Sequence, residues 1–461
     1  MLPMTALPAD LLARELRGPR YTSYPTALAF GPQFGVADYI GAARELARHA
    51  DPLSLYFHVP FCASNCYYCG CNRVVTRNRE RIERYFVALL AELKMHSALL
   101  SRGPEVVQIH FGGGTPNMFS VGQFARLLAA IHQRLRVAES GRLELSMEVD
   151  PRLAEASDIY SWRALGFNRL SFGVQDVNDS VQLAINRVQS RERIAELTAC
   201  ARRAGFSSIN YDLVYGLPLQ TPARLAGSLD FVIEQRPERI AAYHYAHLPQ
   251  RFPAQKAIDE AQLPTPEVRQ QLRAMIHGRL LLAGYRAIGL DHYALPDDAL
   301  ARAQQDGTMR RNFQGYSTLQ GCELVGLGVS AISQLRGCFA QNDTDVDRYL
   351  AAVETGRLAC VRGYRQTDDD RLRAEIIEAI MCQGEVDFAK LGLRYGDDLA
   401  ERFEPELQRL RQLAGAGDWL TVGPWGLRVS ESGRALLRVV AMVFDRQLQA
   451  GDDARRYSSI A

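Results

Sequence analysis

Four of the nine cysteines stand between positions 62 and 71 of this 461-residue chain: Cys62, Cys66, Cys69 and Cys71. Thiolates are soft ligands that suit both iron–sulfur clusters and zinc. With the spacing Cys62-x3-Cys66-x2-Cys69, one short loop can hold three corners of a [4Fe–4S] cluster. The fourth iron is then open to a substrate. A closed zinc site recruiting Cys71 is the competing use of the same residues, because C-x2-C is also zinc spacing. Zinc knuckles usually pair two separated C-x2-C units, and no second unit follows here. Tyr67 and Tyr68, inside the loop, offer rings that can stack on a flat ligand. Cys200, Cys322, Cys338, Cys360 and Cys382 are scattered through apolar or mixed segments and read as small buried hydrophobes. An odd, clustered set of this kind is no disulfide framework and suits a reducing cytoplasm.

Further along, Gly112-Gly113-Gly114-Thr115-Pro116 lets backbone groups approach a ligand closely. It lacks the Gly-Lys-Ser/Thr ending of a nucleotide-binding P-loop. Glu148, in Met147-Glu148-Val149-Asp150-Pro151, can accept hydrogen bonds from ribose hydroxyls or an ammonium group. Gln175 and Asp176 follow Phe172-Gly173-Val174, Arg187 follows Asn186, and Asp212 precedes Tyr215-Gly216-Leu217-Pro218. Singly, such residues cap turns or face water. Together on one rim they would form a polar wall for a large ligand.

The elements that must carry them alternate in type. Short β-rich apolar runs occur at 53–59, 106–111, 143–149, 169–174, 209–214 and 240–246. Helical patterns lie between them near 81–99, 121–135, 159–165, 191–204 and 222–234. This alternation predicts parallel strands with crossover helices, as an open sheet or a barrel. Ligands in such folds gather at the carboxyl ends of the strands. Cys62, Gly112, Glu148 with Asp150, Gln175, Asp212 and Ala246 fall at the ends of the six runs in turn. Residues 1–50 hold Pro19-Arg20-Tyr21-Thr22-Ser23-Tyr24-Pro25-Thr26, an extended arm with little apolar periodicity. Residues 51–365 carry the barrel with accessory elements, including a Pro- and Gln-rich connection at 248–266. From about 366 to 461 the pattern is helical, with a hairpin-like stretch around Gly423-Pro424 that suggests a winged-helix-like domain.

The formal net charge is only +2, with no block of like charge, which argues against a nucleic-acid partner or a polybasic membrane anchor. No run approaches the roughly 18 apolar residues of a membrane span. Met1 to Asp10 lacks the basic-then-apolar pattern of a secretory signal. No interface patch is readable, so a monomer is expected.

The cysteine spacing after a first strand resembles the radical S-adenosylmethionine (SAM) superfamily. There the open iron binds the methionine moiety of SAM, and one electron cleaves the sulfonium to leave a 5′-deoxyadenosyl radical. The resemblance sharpens with the 19–26 arm, Cys66-Tyr67-Tyr68-Cys69-Gly70-Cys71, the glycine motif, Ser171-Phe172-Gly173-Val174-Gln175-Asp176 and Asp212-Leu213-Val214-Tyr215-Gly216-Leu217-Pro218. It continues through Gly289-Leu290-Asp291-His292-Tyr293, Arg311-Asn312-Phe313-Gln314-Gly315-Tyr316 and Gly328-Val329-Ser330-Ala331-Ile332-Ser333. Over nearly the whole chain the sequence is similar to the oxygen-independent coproporphyrinogen III dehydrogenase (oxidase) family.

That resemblance implies a partial (β/α)6 TIM-like barrel, an N-terminal arm near the active site and a small, mainly helical C-terminal domain. It implies conversion of two propionates of coproporphyrinogen III to vinyl groups in anaerobic heme synthesis, in the cytoplasm. An electron donor and an electron acceptor are required, and no motif identifies either. The implied cofactors are a [4Fe–4S] cluster on Cys62, Cys66 and Cys69 and two SAM molecules. Tyr56, Gly113, Glu148 and Ile332 would contact the first SAM. Tyr68, Gly114, Thr115, Gln175, Arg187, Asp212 and Ala246 would line the second. Phe313 and Gln314 would sit near substrate, with Tyr56, Glu148 and Gln314 serving catalysis. Cys71 would lie near the cluster without ligating it. Arg20, Arg310 and Arg311 are candidates for the propionates. Departures from the family pattern are Tyr68 for Phe, Phe111 for Trp, Asn117 for Thr and the altered Gly321-Cys322-Glu323-Leu324, expected near substrate. A heme chaperone and a heme-degrading radical SAM methyltransferase share the cysteine loop, but usually depart in the 19–26 arm. The chaperone also carries an aromatic where Cys71 stands.

Overall fold

The structure, a computed structural model, describes residues 16–101, 103–396, 398–415, 417–448, 457 and 460. Met1 to Asp10 lies outside the described residues, as does the start of the arm. The chain forms two compact units, one of Phe30–Gly284 with Gly321–Arg365, the other of Met1–Ala29, Tyr285–Gln320 and Gln366–Ala461.

In the larger unit six parallel strands stand side by side in chain order: β1 (Pro52–Val59), β2 (Glu105–Gly113), β3 (Glu144–Val149), β4 (Arg169–Gln175), β5 (Ser208–Tyr215) and β6 (Arg239–His244). Both faces of these strands are largely covered, as continuous runs such as Leu145 to Met147 and Ile240 to Ala242 require. Crossover helices Arg79–Leu100, Val121–Arg134, Ala156–Ala164, Arg191–Ala204 and Pro222–Gln235 join successive strands. Their starts are fixed by side-chain caps. Asn78 accepts from the Arg81 amide at 3.0 Å, and Ser120 and Gln123 form a reciprocal capping box. Strand order never reverses, so the sheet is a barrel segment rather than a doubly wound sheet. The expected partial (β/α)6 architecture is the one observed.

Beyond β1 the sheet continues through β7 (Glu323–Leu327), parallel to β1, then antiparallel β8 (Ile332–Leu335), β9 (Cys338–Asn342) and β10 (Cys360–Arg365). Four helices of this unit lie outside the expected helical patterns: Val36–Leu46, Asp179–Ala184, Pro266–Leu282 and Val346–Glu354.

The altered 321–324 segment is placed differently from expectation. β7 pairs Leu53 with Glu323 and Phe57 with Leu327, so Glu323 stands at the amino-terminal foot of the sheet, opposite the Cys62 rim. Burial pushes the Cys322 thiol up to about 12 and the Glu323 carboxyl up to about 6. These are properties of a packed strand start.

In the other unit, the Pro19 to Thr26 arm has neither helix nor strand. Tyr21 and Tyr24 are buried among Leu372, Ile376, Phe403 and Phe444. The Tyr21 hydroxyl donates to Asp445 at 2.9 Å, and the Arg438 guanidinium reaches the Pro19 carbonyl at 3.0 Å. The C-terminal helices accompany a three-stranded sheet, including the hairpin Leu420–Gly423 and Gly426–Val429.

Asp369 ties this unit together, accepting from Arg373 (2.9 Å), Arg402 (2.7 Å) and Arg446 (2.7 Å). Burial pushes its pKa up, but the three guanidiniums outweigh burial and hold it at about 2. A depressed carboxyl contributes stability above its unfolded value of about 4, which is lost as pH falls toward the folded value. Urea titrations of wild type and Asp369→Asn should therefore show a stability gap at neutral pH that closes between about pH 4 and pH 2.

Candidate active site

β1 leads directly into the cysteine loop, and all four of its thiols are free. Cys62 and Cys66 are buried, Cys69 is half-buried and Cys71 is exposed. Each of the three expected ligands accepts a hydrogen bond from a different quarter. Thr115 Oγ1 donates to Cys62 Sγ at 3.4 Å. Arg187 Nη1 and Arg152 Nη2 approach Cys66 Sγ at 3.5 and 3.6 Å. The Cys71 amide donates to Cys69 Sγ at 3.4 Å. Donors aimed at sulfur stabilise thiolate over thiol, the form an iron–sulfur cluster needs. The donor set therefore fits the cluster.

The loop is fastened to the next elements of the rim. The Tyr67 amide donates to the Ile185 carbonyl (3.0 Å), and Asn186 Nδ2 to the Asn65 carbonyl (2.8 Å). Tyr67 and Tyr68 pack against an apolar cluster of Val181, Ile185, Val214, Leu217, Tyr245 and Ile258. Gln255, not singled out from sequence, is buried and donates to both the Tyr68 and Ala246 carbonyls at 3.0 Å. It thus joins the cysteine loop to the exit of β6.

Tyr56, on β1, bonds through its hydroxyl to His58 Nδ1 at 3.0 Å, while His58 Nε2 meets the Asn72 carbonyl at 2.9 Å. Burial lowers the His58 pKa and keeps the ring neutral. A carbonyl only accepts, so the proton sits on Nε2 and Nδ1 receives the tyrosine hydroxyl. Burial likewise raises Tyr56 well above the ordinary tyrosine range, so it stays protonated.

The glycine motif leaves β2 against this pair. Gly113 has φ of +116°, and a Cβ there would meet the His58 ring at 2.6 Å. Its amide donates to Glu148 Oε2 at 3.0 Å. A Cβ on Gly114 would lie 2.7 Å from the Pro60 carbonyl and 2.9 Å from that of Phe61, backbone atoms that cannot swing away. Gly114→Ala is expected to cost about 1–3 kcal/mol and to weaken SAM binding. Urea unfolding and equilibrium dialysis with labelled SAM check both.

At the end of β3, Asp150 is buried between two guanidiniums: Arg152 Nη2 at 2.6 Å and Arg187 Nη1 at 3.3 Å. Burial alone would raise its pKa, but the arginines prevail and lower it. Asn117 brackets the Asp150 backbone, donating to its carbonyl at 3.1 Å and accepting from its amide at 3.0 Å. Asn117 thus has a positional role between the exits of β2 and β3.

Gln175 has φ of +64° beside a register shift in the β4–β5 ladder, the signature of a bulge that re-aims a side chain. Its neighbour Asp176 is buried and accepts from the Asn178 amide (2.7 Å), Ser228 Oγ (2.7 Å) and Gln220 Nε2 (2.6 Å). Gln220 Oε1 accepts from the Gly216 and Leu217 amides at 2.7 and 3.0 Å. These bonds lash the exits of β4 and β5 together. Arg187 also donates to the Gly173 carbonyl at 2.8 Å. Asp212 sits inside β5 rather than at its end, held by Ser171 Oγ (2.7 Å) and Asn210 Nδ2 (2.9 Å). Ile332 opens β8, following the Gly328 to Ala331 turn.

Gln314 and Phe313 belong to the other unit, at the tip of the hairpin Arg310–Asn312 and Gly315–Ser317. In that unit Arg310 pairs with Glu378 at 3.1 Å, and the Arg311 guanidinium lies 4.2 Å from the centre of the Tyr316 ring.

A partial parallel barrel with three cysteines on the loop after its first strand and glycines after its second defines a radical SAM protein. Residues 56–232 match the model of the Radical SAM superfamily, and 366–436 that of the HemN C-terminal domain. The chain belongs to the oxygen-independent coproporphyrinogen III oxidase family, being 43% identical to that protein of Pseudomonas aeruginosa over 95% of this chain and 96% of the relative. It is 41% identical to the one of Escherichia coli, with 96% of each chain covered. The solved structure of E. coli coproporphyrinogen III oxidase (HemN), described as a radical SAM enzyme, superposes with a TM-score of 0.89, covering 93% of this chain and 97% of that one.

Proposed function

We infer that this chain oxidatively decarboxylates two propionate side chains of coproporphyrinogen III to vinyl groups, giving protoporphyrinogen IX in anaerobic heme biosynthesis. The observation that carries the chemistry is the trio of hydrogen-bonded thiols on the rim, beside Gly113 and Glu148. The substrate follows from the full-length similarity to relatives that bear its name. The cluster and SAM would supply one-electron cleavage and removal of a hydrogen atom from the propionate β-carbon. Each propionate then loses carbon dioxide, one proton and two electrons in all, so an electron acceptor is needed.

Cys62, Cys66 and Cys69 hold the cluster in this scheme. Tyr56, Gly113, Glu148 and Ile332 contact the first SAM. Tyr56 is oriented by neutral His58, and Glu148 by the Gly113 amide. Tyr68, Gly114, Thr115, Gln175, Arg187, Asp212 and Ala246 line a second SAM site. A substrate role for Gln314, Phe313 and the 19–26 arm rests on family resemblance. So do a monomeric state and a cytoplasmic setting, the latter suited to free thiols.

The test is anaerobic reconstitution with iron and sulfide, then incubation with SAM, dithionite, coproporphyrinogen III and an electron acceptor. Carbon dioxide, methionine and 5′-deoxyadenosine are expected products. Cleavage of SAM with tight heme binding and no carbon dioxide would identify a heme chaperone instead.

A further inference from the structure

Arg152 lies just past β3, in the short 3-10 turn Pro151–Leu153, and the scheme above gives it no part. Its guanidinium grips Asp150 by two prongs, Nε to Oδ1 at 2.9 Å and Nη2 to Oδ2 at 2.6 Å. The turn does not need this grip, because the Arg152 amide already donates to Asp150 Oδ1 at 3.1 Å. What the side chain adds is Nη2 beside Cys66 Sγ, at 3.6 Å. Arg187 Nη1 reaches the same sulfur at 3.5 Å from another element. Two cations sharing one carboxylate leave the group one positive charge in excess at that sulfur. The arginine side chains are only 20% and 8% exposed, so water screens this charge little. Asp150 in turn is held by Asn117 through both backbone groups, which fixes where the two arginines converge.

We propose that Arg152, with Arg187, raises the reduction potential of the iron–sulfur cluster by donating to the Cys66 sulfur. The inference rests on Cys66 being a cluster ligand. Hydrogen bonds to cysteine sulfur draw electron density away from iron, and nearby positive charge favours the more negative, reduced cluster. On reduction the cluster takes one electron from the reductant, and Arg152 is asked for no proton. Arg152 is a positioning and electrostatic residue here, acting on SAM only through the cluster.

Arg152→Gln and Arg152→Lys in the full chain, reconstituted anaerobically and titrated with dithionite under EPR, test the proposal. Arg152→Gln should keep wild-type iron and sulfide, while its reduced-to-oxidised ratio at a fixed solution potential falls about tenfold, a shift of about 59 mV for one electron. Arg152→Lys, which keeps the charge but not the fork, should fall between it and wild type. A fully loaded Arg152→Gln protein at the wild-type potential overturns the proposal. So does an Arg152→Gln protein that cannot hold the cluster alongside an Arg152→Lys protein at the wild-type potential, which would assign Arg152 to assembly. A wild-type chain that gathers no iron and sulfide sinks the cluster assignment instead.

Discussion

Cys66→Ala should leave a folded protein with iron and acid-labile sulfide near background and no cleavage of SAM. Three thiolates are the fewest that hold a cubane while leaving one iron open, so losing one leaves two corners for four irons. Cys66 also gathers the Arg187 and Arg152 contacts, and its removal strands two guanidiniums against Asp150. Cys71→Ala is the matched control. Cys71 meets Cys69 through its backbone amide, which alanine retains, and through its thiol, which is no ligand in the expected set. Iron content should therefore stay at the wild-type level in that variant. Iron analysis and visible absorbance of both reconstituted proteins decide the matter. Full iron in Cys66→Ala would remove it from the ligand set, and zinc bound by all four cysteines would restore the closed-site alternative.

Glu92→Ala should cost about 3–5 kcal/mol, a large part of a typical total of about 5–15 kcal/mol. Glu92 is wholly buried on the Arg79–Leu100 helix. Its Oε2 accepts from the Gly328 amide and the Tyr349 hydroxyl, each at 2.7 Å, and its Oε1 from Asn342 Nδ2 at 2.7 Å. Alanine would leave the Gly328 amide and the Tyr349 hydroxyl unanswered where water cannot readily follow, and would leave Asn342 Nδ2 only its bond to the Gly328 carbonyl. The effect would reach the rim, because Gly328 begins the turn that leads to Ile332. On the same helix, the Tyr85 hydroxyl donates to the His58 carbonyl at 2.7 Å and accepts from the Val329 amide at 3.0 Å. Urea unfolding that placed Glu92→Ala within 1 kcal/mol of wild type would contradict this picture.

How far the sequence discloses such arrangements depends on the range of the forces involved. The six parallel strands are legible because burial on both faces leaves continuous apolar runs. The residues at their exits are legible because glycine and cysteine spacing is local. Arg152, Asn117 and Gln255 are not, since each acts on a partner remote in sequence: Arg152 on Cys66 86 positions away, Gln255 on Tyr68 187 away. The Val36–Leu46 helix is less legible because half of its buried stripe of Tyr39, Ala42, Ala43 and Leu46 is alanine and its N-cap, Gly35, has no side chain to mark the start. Asp176 reads as a capping carboxylate and is one, through Asn178, yet it also holds Gln220 across two strand exits. The location of the 321–324 segment is not legible, because it follows from parallel pairing with β1, which no local pattern shows.

The bond between Tyr21 and Asp445 spans 424 positions of sequence, and it has a bearing on how the chain is made. Synthesis runs from the amino terminus, and domains fold as their residues emerge. Every segment of the sheet-bearing unit is available once Arg365 has been added. The residues around Tyr21 and Tyr24 are made before that unit but must wait for Leu372, Phe403 and Phe444 before their aromatic rings find cover. A segment made ahead of the sheet-bearing unit is therefore buried after it. A fragment ending near residue 365 and released from the ribosome should protect β1 to β10 from protease and leave the 19–26 arm open to cleavage.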